Sequence, residues 1–198
     1  MRTLDVPQAN DLHTVRAIVH AVFRGALNRE ALVEFTGFST RHTGYRMHAA
    51  RVLEFIQLNG DDAHLTTLGE QLLESRVGST DERAVFHKAV TRCAVVQVLA
   101  PDLLAAYGPT VEALTERISE QAGLKASTAR RRASCLLSWR FQALGLTPEA
   151  DAANRARADR AAANKAKAKA AAKADAQPDP KADEAPAGSN GPQLSLFG

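Results

Sequence analysis

Between Glu149 and Asn190 the chain contains no Val, Leu, Ile, Met, Phe, Trp or Tyr. Ala, Lys, Arg, Asp, Asn, Pro and Gly fill almost all of it. Such a stretch cannot bury a core of its own. Folding therefore falls to the first 148 residues of the 198, enough for one compact domain or two small ones. Residues 149–174 are rich in Ala and Lys, which favour helix. They carry no apolar stripe, so the reading is a frayed helix or disorder. Residues 175–192, rich in Pro, Asp and Gly, read as a flexible spacer.

Within the first 148 residues the apolar pattern is mainly helical. Val15, Ile18, Val19, Val22 and Phe23 repeat at helical spacing, with Asn10 or Asp11 as cap and Gly25 as terminator. A short helix fits Asn28 to Phe35, with Ala31, Leu32 and Phe35 inward. Gly37 then supplies a tight turn. A third helix starts near Ser39. Its predicted seam is Tyr45, Ala49, Val52, Leu53 and Ile56, which turns Thr43, Gly44, Met47, His48 and Arg51 outward. Asn59-Gly60-Asp61-Asp62 is a turn signal between two short extended runs, and Thr67-Leu68-Gly69-Glu70 matches a capping box.

A second capping box, Ser79 to Glu82, opens a long helix that stops before Pro101. Thr110 caps a helix that Gly123 ends. Ser127 or Thr128 caps a last one, with Ala129, Ala133, Leu136, Leu137 and Leu144 inward and Arg131, Cys135 and Ser138 opposite. Trp139 and Phe141 read as core. Arg140 falls on the seam and needs a carboxylate, for which Glu112, Glu116 or Glu120 are the candidates. The order is helix, helix, turn, helix, hairpin, helix, then a second helix, Gly turn and basic helix. That order predicts a mainly α protein: a winged helix-turn-helix in residues 1–78 and a second helix-turn-helix-like helical unit in 79–148. A tail over 149–192 and a terminal peptide at 193–197 follow.

The net charge of +3 conceals two local excesses. Thr36 to Leu53 has no carboxylate but holds Arg41, Arg46 and Arg51, with His42 and His48. Gln121 to Pro148 has none either but holds Lys125, Arg130, Arg131, Arg132 and Arg140. Two acid-free basic windows suit a polyanion. A helix lying in the major groove of duplex DNA would offer Thr40, Arg41, His42 and Thr43 from its first turn, with Arg46, His48 and Arg51 behind. Lys125, Arg130, Arg131 and Arg132 are the corresponding candidates on the second basic helix.

Two resemblances sharpen this reading. The run Phe38-Ser39-Thr40-Arg41-His42-Thr43-Gly44-Tyr45-Arg46-Met47-His48-Ala49-Ala50-Arg51-Val52-Leu53, followed by Leu65-Thr66-Thr67-Leu68-Gly69, resembles winged-helix modules of restriction-modification and phage-defence proteins. Leu124 to Ser134, ending in Ser138-Trp139, looks like the C-terminal helix-turn-helix of such proteins. The resemblance implies DNA binding and, as one alternative, a regulatory or specificity component whose main partner is another protein. The C-terminal Gln193-Leu194-Ser195-Leu196-Phe197 resembles the short peptide by which bacterial DNA-metabolism proteins bind the replicative sliding clamp. That family pattern is Gln, Leu, Ser or Asp, Leu, Phe. Three large apolar residues at the end of a hydrophilic arm have no local core, so a partner's pocket suits them. The implied role is a clamp-tethered DNA-binding protein in replication, repair or defence.

An enzyme is not expected. The chain has no P-loop, metal-ligand cluster or dinucleotide fingerprint, so no cofactor or metal is expected either. Cys93 and Cys135 have no zinc spacing and read as buried thiols. The absence of a secretory signal or membrane-spanning run points to the cytoplasm.

Overall fold

Local caps set most of the helices. Asp11 accepts from the His13 N–H at 2.9 Å and opens α1 (Leu12–Phe23). Asn28 opens α2 (Arg29–Thr36) by accepting from the Ala31 N–H, and Gly37 closes it at φ 69°. Ser39 opens α3 (Thr40–Val52). Each cap satisfies an N–H that the first helical turn leaves without a partner. The computed structural model describes Val6–Asp175, with side chains to Lys167. Among these residues the protein is mainly helical, with one two-stranded antiparallel sheet.

The sheet pairs β1 (Ile56–Asn59) with β2 (Asp62–Leu65), Asn59 opposite Asp62, across the two-residue turn Gly60-Asp61. Gly60 has φ 62°, as the first residue of a tight hairpin turn requires. The hairpin is also tied back to the start of α2, because the Ala63 N–H donates to the Leu27 carbonyl at 2.7 Å. Thr66, one residue before the expected cap, accepts from the Gly69 N–H and opens α4 (Thr67–Glu74). Ser79 opens α5 (Thr80–Arg92). The expected single helix to Pro101 is broken at Cys93, and α6 (Ala94–Leu99) follows. Thr110 opens α7 (Val111–Ala122), and α8 (Ala126–Leu144) begins after Lys125 with no side-chain cap, so neither Ser127 nor Thr128 plays that part.

The compact unit is Met1–Arg155, and Ala156–Gly198 forms a second one. The last helix, α9 (Pro148–Asp175), supplies the end of the first unit. In the second unit, residues 156–175 are helical, and the side chains described there are nearly all exposed. A helix without a buried face is what Ala and Lys propensity alone produces. No described helix is long and apolar enough to cross a membrane.

In the first unit, α1 packs on α2, α3 and α4, while α8 packs on α7 and α5. Phe55 meets Phe86 edge to face, with ring centroids 6.2 Å apart. Glu82 is buried at 1% exposure; Arg16 reaches it at 3.0 Å, and Glu82 also accepts from the Gly78 N–H at 2.7 Å. These contacts bind α1 to the start of α5. The segment before α1 is strapped along α8. Trp139 donates its indole N–H to the Ala9 carbonyl at 2.7 Å, Arg132 donates to the Val6 carbonyl at 2.6 Å, and Gln142 donates to the Asn10 carbonyl at 2.8 Å. The strap fixes where the N-terminal half of α8 lies relative to α1 and α3.

Several expected orientations are corrected. Phe23 and Phe35 are exposed, at 64% and 49%, although both lie on the apolar repeats of their helices. Cys135, expected opposite the seam of α8, is buried; both cysteines are buried free thiols, as expected. The buried side of α3 is Thr43, Met47, Ala49 and Ala50, so Tyr45 turns to the half-exposed side.

Two glycines have opposite roles. A Cβ on Gly69 would overlap the Phe55 carbonyl oxygen, because α4 starts hard against that backbone. Gly69→Ala is therefore expected to cost about 1–3 kcal/mol. Gly44 sits mid-helix with only the Arg29 guanidinium near its missing Cβ, at 3.7 Å. Gly44→Ala is expected to add about 0.5–1 kcal/mol of stability. Thermal melts of the two variants should move in opposite directions, and a shared direction would contradict this packing.

Candidate nucleic-acid interface

The N-terminal half of α3 begins in a tight turn. Gly37 in the left-handed region ends α2, and Ser39 restarts the helix by accepting from the His42 N–H at 3.4 Å. Thr40, Arg41 and His42 are exposed there, and Arg51 is exposed two turns later. His48 is half-buried and lies within 3.4 Å of the Arg51 guanidinium. Thr40, Arg41, His48 and Arg51 share a side of α3 with Gly44 and Tyr45, whereas His42 lies round the helix toward Arg46.

Thr43 does not belong to that surface. It is fully buried, facing the core beside Met47 and Ala50, because α3 rolls its small residues inward against α1. Arg46 is half-buried with its guanidinium over the Phe38 ring, 4.1 Å from the centroid. That is a cation–π contact within the protein.

On the second basic helix, Lys125, Arg130 and Arg131 are exposed. Arg130 faces Glu112 of α7 at 3.8 Å, with both side chains mostly in solvent. Arg132 is only 5% exposed and works as a strut. Besides its bond to Val6, it meets the Gln8 carboxamide oxygen, which in its satisfied orientation accepts at 3.1 and 3.2 Å. The reason is helical geometry: consecutive arginines point about 100° apart, so one of the three had to turn inward.

The two basic windows, far apart in sequence, meet on one surface. Arg41, His42, Tyr45 and Arg46 of α3 line one recess with Arg131 and Arg132 of α8. A neighbouring recess is lined by Arg29, Arg41, Tyr45, His48 and Arg51 together with Gln8. Among the described residues no carboxylate lines either one. Arg41 donates its Nε–H to the Tyr45 phenol oxygen at 2.7 Å, which holds that phenol below its ordinary pKa, with Arg131 and Arg132 acting in the same sense.

Tyr45, Arg29 and Gln8 were not legible as site residues. Tyr45 fits the apolar repeat, and Arg29 is masked in sequence by its neighbour Glu30. The terminal peptide, Gln193, Leu194, Ser195, Leu196 and Phe197, lies outside the described residues. Nothing in the hairpin turn is basic; its tip carries Asp61 and Asp62, both exposed. Among the described residues, no group of three or more His, Cys, Asp or Glu side chains could hold a metal ion. Compared with known proteins, the chain matches no family model, no curated protein and no solved structure.

Proposed function

We propose that the chain is a non-enzymatic DNA-binding protein, in which α1 to α4 and the hairpin act as a winged helix-turn-helix and α3 is the reading helix. The observation that carries this reading is the surface, without a carboxylate among its described lining residues, where Arg41 and Tyr45 of α3 adjoin Arg131 of α8. Two further features support it. The element order suits a winged helix, and the bond from Ala63 to Leu27 ties the hairpin to the segment before α2. The α7–Gly123–α8 unit then serves as the second helix-turn-helix-like element on the same duplex. Asp61 and Asp62 make the hairpin a poor phosphate contact, so α3 and α8 carry the electrostatic attraction.

The tether is a separate part of the proposal. On the resemblance of Gln193 to Phe197, the terminal peptide docks on the sliding clamp while the first unit holds DNA. The 28 residues of α9 would extend about 40 Å as a helix at 1.5 Å per residue. Docking at both sites raises the effective concentration of each. A groove lined by Phe23, Leu73 and Val77, with Phe23 and Val77 each 64% exposed, favours a second reading. In that reading the chain is a regulatory or specificity component of a defence system, bound chiefly to another protein.

Duplex binding followed by fluorescence anisotropy at rising salt tests the main reading. If Arg29, Arg41, Arg51 and Arg131 each neutralise a phosphate, log affinity falls against log salt with a slope of roughly −3 to −4. Arg41→Ala and Arg131→Ala should each reduce that slope by about one. A slope near zero would remove the DNA claim. Deleting the residues from Gln193 onward should leave the slope unchanged and abolish retention on immobilised clamp; undiminished retention would remove the tether.

A further inference from the structure

The recess shared by α3 and α8 has a floor that duplex binding leaves unused. Arg46 and Arg132 form it. The Nε–H of each is buried and has no hydrogen-bond partner among the described residues. An unpaired buried donor costs about 1–3 kcal/mol, and more when it is charged. Burial depresses the pKa of both guanidinium groups, and Arg131 depresses that of Arg132 further. The carboxylate that acts on Arg46 is that of Asp11, already engaged with the His13 N–H as the cap of α1. Arg41 and Arg131 stand at the same recess in exposed positions. Four guanidinium groups thus converge, with no carboxylate among the described lining residues.

The shape narrows the ligand. The cavity is about 340 Å³, at the small end of small-molecule sites. A duplex is too wide to enter a recess of this size; a single tetrahedral group on a narrow stem can. Guanidinium forks match phosphate oxygens in pairs. A dianion also answers four cations better than the single charge of a backbone diester. The tilted rings of His42 and Tyr45, with centroids 6.4 Å apart, give a base something to lie against. Gln8 and Asn10 line the same recess.

We propose that this recess binds the phosphomonoester of a nucleotide, carried on the 5′ end of a strand or on a free nucleoside monophosphate. The strand-end form rests on the DNA-binding reading; the free-nucleotide form does not.

Two hairpin DNAs, identical except for a 5′-phosphate or a 5′-hydroxyl at the blunt end, separate the sources when compared with deoxyadenosine monophosphate. The full chain is used throughout. The single tryptophan reports on the recess, since Trp139 donates to the Ala9 carbonyl and Ala9 lines the cavity. The 5′-phosphate is expected to tighten hairpin binding about tenfold or more, as new charge-assisted hydrogen bonds would. Alternatively, the monophosphate shifts Trp139 emission and gives a calorimetric signal while deoxyadenosine gives neither. Arg46→Gln should erase whichever gain is seen. If that variant fails to fold, the comparison of probes on the wild-type protein decides the matter alone. Equal binding of both hairpins, with the monophosphate silent by both readouts, overturns the recess and leaves the duplex reading standing. Monophosphate binding with neither hairpin bound overturns the duplex reading and leaves the recess standing.

Discussion

Exchanging Arg41 and Arg131 together for glutamate is expected to weaken duplex binding at least about a hundredfold near 0.1 M salt, without unfolding the protein. Each neutralised phosphate releases about 0.9 of a counterion, so at that salt one contact is worth roughly eightfold. Losing two gives about sixtyfold, and reversing their sign adds repulsion. Both side chains are exposed, and the side-chain bond that Arg41 makes stays within its own helix, to Tyr45. The fold therefore has little at stake in either. Anisotropy titration beside a thermal melt checks both halves of the expectation. An affinity within about threefold of wild type, with an unchanged melt, would show that the duplex sits elsewhere or nowhere. Arg130→Glu serves as the contrast. Arg130 already faces Glu112 at 3.8 Å, so its loss should weaken binding less than that of either partner in the double exchange.

That contrast depends on the rotation of α8, which its apolar repeat indicated: Ala129, Ala133 and Leu136 are buried and Arg131 is exposed, as expected, while Cys135 turns inward against expectation. Local signals were legible wherever the physics is local. The caps at Asp11, Asn28, Ser39, Ser79 and Thr110 and the turn at Gly60 each satisfy a backbone need within four residues, and the structure has them. The helices themselves followed from their apolar repeats. What failed was the rotation of α3. Its apolar content is spread around the helix: Tyr45 and Val52 on one side, Met47 and Leu53 on another, with Gly44, Ala49 and Ala50 between. A pattern that weak leaves the choice of buried side to the neighbours. Packing on α1 selects the side with Thr43, Met47 and Ala50, where small residues allow close approach. Tyr45 was thereby released to the surface beside Arg41. The join between the two basic windows was equally hidden, because it depends on the strap from Val6 to Asn10 along α8, a contact across more than a hundred residues.

The same limit hid the partner of Arg140. The expected carboxylates were on α7, yet Arg140 is met by Asp151, in the stretch that composition marks as coreless. The acceptor lies just past the C-terminus of α8, where α9 begins. Arg140 is fully buried, and Asp151 is 3% exposed. The guanidinium donates to Asp151 at 2.7 and 3.1 Å and to the carbonyls of Leu103, Ala105 and Ala106 at 2.6, 2.7 and 3.3 Å. Arg155 binds the other carboxylate oxygen at 2.8 Å and also donates to the carbonyls of Gly108 and Pro109. Two arginines and one aspartate thus hold the 103–109 connection, which carries no regular element. Gly108 is part of the arrangement, since a Cβ there would lie 2.7 Å from an Arg140 nitrogen.

Arg140→Ala is expected to cost about 3–5 kcal/mol, because it leaves a buried carboxylate underpaired and strips three carbonyls of their donor. Against a total stability of about 5–15 kcal/mol, that is a large share. At roughly 2–4 °C per kcal/mol for a domain of this size, the melting temperature should fall by about 6–20 °C. Arg140→Lys should recover little, since one ammonium cannot replace a planar fork serving four acceptors. Arg130→Ala, which breaks a solvent-exposed pair, should cost under about 1 kcal/mol. The acid limb gives a second readout. Burial opposes ionisation of Asp151, but the hydrogen bonds from Arg140 and Arg155 outweigh it and hold the carboxyl below its ordinary range. The stabilisation it provides is complete above the unfolded aspartate value near 4 and is lost as pH falls through the lowered folded value. Removing Arg140 raises the folded value toward the unfolded one, so the variant should lose less stability than wild type between about pH 4 and pH 2. Equal melts for Arg140→Ala and Arg130→Ala, or parallel acid limbs for Arg140→Ala and wild type, would mean that this buried cluster does not hold the end of α8 in place.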